Sequence, residues 1–170
     1  DFAFTLPVVV IAEFLGIPPE ARFEVREWSD DLGAVVFTRG NDESRMEKGE
    51  AAMRKLVDFL RPIVRERIRS PQEDLLTRLA TAEENGERLD EDDVIGNAVL
   101  MVFAGHETTM NLLANGIAAF DAFPDEWQRL RADPTLVRAA TEEILRFDGP
   151  IKALGRWAKE SFEFQGRQIK

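Results

Sequence analysis

The 170-residue chain has no cysteine and one histidine, His106. The first absence excludes disulfides, thiolate metal ligands and a cysteine nucleophile from this stretch. The second excludes a histidine-rich metal site, so no metal ligand is assigned. Cations are also scarce: 22 Lys and Arg stand against 32 Asp and Glu, a formal charge of -10. Nucleic-acid binding needs clustered cations to neutralise phosphates, so that class is set aside. The longest apolar run, 94–103, is too short for a membrane span and is followed at once by His106 and Glu107. Asp1 opens the chain without the basic start of a signal peptide. No repeat or low-complexity tract is visible. With 44% hydrophobic and 32% charged residues, the chain reads as cytoplasmic, globular and helix-leaning, one domain or a piece of a larger one.

The apolar pattern predicts a mainly α fold. Helices are expected at 4–15, with Pro7 in its first turn and a strand at Val8–Ile11 as the alternative, and at 19–36. A long helix is expected at 42–69, where Met53, Leu56, Val57, Leu60, Ile63, Val64 and Ile68 recur at three- and four-residue spacing and Pro62 bends rather than ends it. A short helix at 73–82 and a turn at 83–88 follow. Asp90 is a good N-cap, and Glu91, Asp92 and Asp93 suit the positive end of a helix running to about 122. Prolines open two more helices, at 124–132 and 134–147. Beyond Pro150 the pattern changes to a small β hairpin, with Arg156 in its first strand and its turn near 159–161. The one plausible internal hinge is 38–41.

The chemistry concentrates in Ala104-Gly-His-Glu-Thr-Thr109, inside the apolar helix. A carboxylate beside a hydroxyl is costly there unless bonded or used, and glycine weakens a helix by roughly 1 kcal/mol against alanine. Helical spacing puts Ala104, Gly105 and Thr108 on one face, small enough to admit a flat ligand close to the backbone. The Thr108 hydroxyl can also bond back to the Ala104 carbonyl. The same notch would equally serve a crossing helix. The zinc-protease pattern His-Glu-x-x-His fails, because position 110 is Met. A second constellation, Glu142-Glu143-Ile-Leu-Arg146, makes i,i+3 and i,i+4 ion pairs that on their own are ordinary surface pairs.

Taken in order, these pieces resemble the cytochrome P450 family, in its bacterial soluble form. Ala104–Thr109 resembles its oxygen-activation helix, Glu143-Ile-Leu-Arg146 its Glu-x-x-Arg helix, and Asp148-Gly-Pro-Ile151 with Arg156 the segment after it. Leu15-Gly-Ile-Pro18 and Asn85-Gly-Glu-Arg-Leu89 are similar to bacterial members as well. The resemblance covers essentially all 170 residues. It implies b-type haem, a small organic substrate, and a redox partner such as a ferredoxin. It casts Thr108 as the hydroxyl that hydrogen-bonds dioxygen and Glu107 as the acid in proton delivery, a pairing suited to splitting dioxygen in a dry site. It lays Ala104 and Gly105 against the haem face, gives Leu100, Phe103 and Ala153 to the substrate pocket, and makes Glu143 and Arg146 a buried pair behind the haem. Arg156 would take a haem carboxylate, for which its fork is suited.

The departure is the missing cysteine, which in that family ligates the haem iron. The expectation is therefore one partial domain, 1–170, from the middle of a larger haem-thiolate monooxygenase: the helical portion of that fold, inactive alone, with the axial cysteine outside the chain. The alternative is a non-catalytic helical domain that keeps the fold and binds a partner.

Overall fold

A computed structural model describes residues 2–36, 42–84 and 86–170. In chain order it contains α1 (Phe2–Phe14), α2 (Arg22–Val36), α3 (Glu43–Arg69), α4 (Leu75–Thr81), β1 (Glu83–Glu84), β2 (Glu87–Arg88), α5 (Glu91–Ala122), α6 (Pro124–Ala132), α7 (Val137–Asp148), β3 (Phe162–Phe164) and β4 (Arg167–Ile169). Single 3-10 turns at Pro19–Ala21 and Pro134–Leu136 precede α2 and α7. The hinge expected at 38–41 and the Asn85 position lie outside the described residues.

α5 is the axis, with α1, α2, α3 and α4 packed on its first half and α6 and α7 on its second. Val94, Ala98, Val102 and His106 recur every four residues and are buried, as are Ile95 and Val99 beside them. They meet Leu56, Leu60 and Val64 of α3, Leu76 of α4, and Leu15 and Ile17 from the link after α1. Met53 and Ile68, read as part of the α3 core stripe, stay exposed. The Asp90 carboxylate accepts the Asp93 N–H at 2.8 Å and so satisfies one orphan donor of α5. Asp90→Ala is expected to lower stability by about 1 kcal/mol, seen as a shift of the urea midpoint without a change of slope.

An ion-pair cluster staples α3 to the start of α5. Arg61 Nη1 reaches Glu91 Oε1 at 2.7 Å and Asp92 Oδ1 at 2.9 Å, while Arg65 Nε reaches Glu91 Oε2 at 2.8 Å. A buried pair ties the other end of α3 to α4: Arg67 Nε donates to Asp74 Oδ2, with side chains 8% and 7% exposed. Asp74 also caps α4 by accepting the Thr77 N–H at 2.8 Å. This cap moves the start of α4 to Leu75, two residues later than the sequence suggested, because Asp74 itself is extended.

Three expectations are corrected. Pro7 lies within α1 rather than in its first turn, since the helix already begins at Phe2. The 83–88 turn carries a minimal antiparallel ladder pairing Glu83 with Arg88. The C-terminal hairpin pairs Phe162 with Ile169 and Phe164 with Arg167, so its turn is Gln165-Gly166 and not 159–161. Both turn residues have positive φ, 49° and 74°, the geometry whose twist matches paired strands. Arg156 therefore stands in irregular chain before the hairpin, not in a strand.

Candidate active site on the central helix

At residues 103–108, α5 presents three directions to three environments. Toward α1 stands Gly105, where an added Cβ would lie 3.0 Å from Ile11 Cγ1. That corrects the single small-residue face: Gly105 is the crossing notch for α1, where any side chain would require Ile11 to give way. Toward α2 stand Phe103 and Glu107; a Cβ on Gly33 of α2 would lie 2.9 Å from Glu107 Oε2 and 3.4 Å from Phe103 Cε2. His106 is 2% exposed, with Nδ1 3.0 Å from Val102 O and Nε2 3.0 Å from Asp30 Oδ1. It is a satisfied core histidine.

The third direction is open. Leu100 and Ala104 are exposed and Thr108 is half-buried, at i, i+4 and i+8. Their side chains give a flat carbon strip ending in one hydroxyl. Thr108 Oγ1 donates to Ala104 O at 2.9 Å, and Thr109 Oγ1 donates to Gly105 O at 3.1 Å. With its proton committed to the backbone, the Thr108 oxygen keeps lone pairs to accept a bond from a protic group on the strip. The sequence signalled this back-bond. It did not signal Asp30, Gly33 or Ile11, whose roles exist only across helix contacts.

The Glu143–Arg146 pair forms as a fork: Nε–Oε2 is 2.7 Å and Nη2–Oε1 is 2.6 Å. The Arg146 hydrogen bond holds the Glu143 carboxyl below its usual range, and the same bond raises Arg146. The expected burial is absent in this chain, where the two side chains are 58% and 70% exposed. They rim an open groove of about 520 Å³ between α5, α6 and α7, lined by Phe120, Phe123, Leu130, Ile144 and Phe147 among others. Arg156 donates to its neighbour's carbonyl, Gly155 O, and it and Ala153 are exposed; the structure does not gather either onto the α5 strip. Among the described residues no cluster of three or more His, Cys, Asp or Glu could hold a metal, and no helix is long and apolar enough to cross a membrane.

No family model matches the chain. Individual proteins do. The cytochrome P450 CYP107DY1 of Priestia megaterium is 34% identical over 169 residues, spanning 99% of this chain and 40% of that protein. The vitamin D(3) 25-hydroxylase of Pseudonocardia autotrophica is 38% identical over 171 residues, again 99% of this chain and 40% of its own. The ligand-free cytochrome P450 TbtJ1 superposes with a TM-score of 0.89 at 40% identity, covering 98% of this chain and 44% of that one. The chain belongs to the cytochrome P450 family. It spans about two-fifths of the length of the P450s it matches. P450 membership implies haem as the cofactor. The α5 strip fits one face of such a flat apolar group, because Leu100 and Ala104 offer carbon without charge and Ala104 adds only a methyl. Gly105 does not join that fit, being occupied by Ile11.

Proposed function

We propose that this chain supplies one wall of the oxygen site of a haem-thiolate monooxygenase that inserts one oxygen atom into a small apolar substrate. The open Leu100–Ala104–Thr108 strip, with the Glu107 carboxylate one residue from its hydroxyl end, carries the reading. Haem, when bound with its thiolate from elsewhere in the parent protein, supplies the binding and reductive cleavage of dioxygen. Ala104 would lie against its face, Leu100 and Phe103 would border the substrate, and Arg156 would take a carboxylate. Thr108, its proton held by Ala104 O, would accept a hydrogen bond from protonated oxygen in the pocket and keep that proton from leaving. Glu107 would relay protons from the α2 side. Electrons would come from a separate redox protein such as a ferredoxin. A relative named vitamin D(3) 25-hydroxylase and a similar structure in complex with testosterone support an apolar substrate class.

In the parent enzyme, Thr108→Ala is expected to leave substrate binding and reduction nearly unchanged while electrons drain into peroxide, so product per electron falls. Glu107→Gln keeps the shape without the acid and should slow turnover itself and change its solvent-isotope dependence. Normal coupling in both variants would return the strip to a packing surface.

A further inference from the structure

We infer that α2 positions Glu107, through an Asp30–His106 clasp and a backbone seat at Gly33; the inference rests on the reading of Glu107 as the proton-delivering acid. The clasp joins helices 76 residues apart in sequence. His106 Nδ1 faces a carbonyl, which can only accept, so this nitrogen donates to Val102 O and the ring plane is set by its own helix. Nε2 lies 3.0 Å from Asp30 Oδ1, and a proton on either of these two atoms closes the contact, which fixes the rotation of α5 against α2. Asp30 is braced in turn: Arg26 Nη2 holds its other oxygen at 2.7 Å, and the Arg26 guanidinium lies 3.6 Å over the Phe4 ring of α1. Three helices thus converge on the residue immediately before Glu107.

Gly33 lies one helical turn after Asp30, on the same face of α2. With no side chain there, the Glu107 carboxylate rests against bare backbone, 2.9 Å from where a Cβ would stand. Among the described residues no hydrogen bond or ion pair engages the Glu107 carboxylate. Space, rather than a partner, determines where the carboxylate sits, which leaves its oxygens open to a hydrogen-bond donor. Asp30, His106 and Gly33 are positioning residues: they act through Glu107.

The test is a variant series in the haem-loaded parent enzyme. Gly33→Ala should slow turnover severalfold, and should have no further effect when combined with Glu107→Ala, because nothing remains to displace. Asp30→Ala should slow turnover similarly, and Asp30→Asn should recover most of the rate, since an amide can still bond to the imidazole. A crystal structure of Gly33→Ala should show the Glu107 carboxylate moved off residue 33 with the Asp30–His106 contact intact. An unmoved carboxylate, or an equal loss from Gly33→Ala with and without Glu107, overturns the inference. If Glu107→Ala alone leaves turnover normal, the acid role fails, while the crystallographic shift still decides the seat.

Discussion

Arg67→Met in the parent protein is expected to cost 3–5 kcal/mol, because it strands the Asp74 carboxylate, 7% exposed, without its cation. Burial pulls the Asp74 carboxyl up, but the Arg67 hydrogen bond, the Thr77 N–H and hydroxyl, and the Arg67 charge together outweigh it, and the net direction is down. A carboxyl held below its unfolded value stabilises above that value, about 4, and the contribution is lost as pH falls through the lower folded value. Urea midpoints measured from pH 7 down to pH 3 should therefore converge for wild type and Asp74→Asn at the acid end. The double variant Arg67→Met/Asp74→Asn removes both charges while keeping an N-cap side chain, and should be less damaged than Arg67→Met alone. A loss below 1 kcal/mol in Arg67→Met would mean that the pair is not buried in solution.

Gly16→Ala is expected to damage the same place by a different route. Gly16 has φ +66°, which costs an L-residue about 1–2 kcal/mol. In addition, the new methyl would overlap Asp74 Oδ2 and crowd Arg67 Nη2, whose hydrogen bond to Gly16 O closes the link. The total should exceed the backbone strain alone. In an Asp74→Ala background the overlap with the carboxylate disappears and only the Arg67 contact remains, so the cost of Gly16→Ala should fall toward the strain value, a non-additivity expected of touching residues. Strict additivity of the two urea-midpoint shifts would show that Gly16 serves only its own backbone.

These two residues also mark the limit of what local pattern reveals. Gly16-Ile-Pro-Pro19 reads as a helix stop, and the stop is there, but the steric part of the need for glycine at position 16 comes from a carboxylate 58 residues further on. The course of α3 and α5 was legible because Leu56, Leu60 and Val64, or Val94, Ala98 and Val102, repeat with the helix period and because Asp90 announces its cap. The hairpin turn was misplaced because Lys159–Ser161 is polar. Gln165-Gly166 carries the positive φ values that a two-residue turn demands, and the alternation of Phe162 and Phe164 before it was the better guide. Within the site, the Thr108 back-bond follows from spacing alone. Gly105 was assigned to the wrong side because a 100° step per residue separates it from Ala104, and only the approach of Ile11 determines which of the two faces the open strip.

The buried residues of this chain end at Gly116: from Ile117 to Lys170 none of the described residues is buried, whereas the core cluster lies wholly between Ala12 and Val102. Amide protons should therefore divide into two populations when the 170-residue chain meets heavy water. Those of α3 and the first half of α5 open only with the whole core, while those of α6, α7 and β3–β4 exchange through shallow local openings held by contacts such as Phe120 with Trp127 and Phe123 with Phe147. The border between the two populations falls inside α5, an uninterrupted 32-residue helix. The unit that opens together is thus set by what a helix leans on, and a single helix can belong to two such units at once.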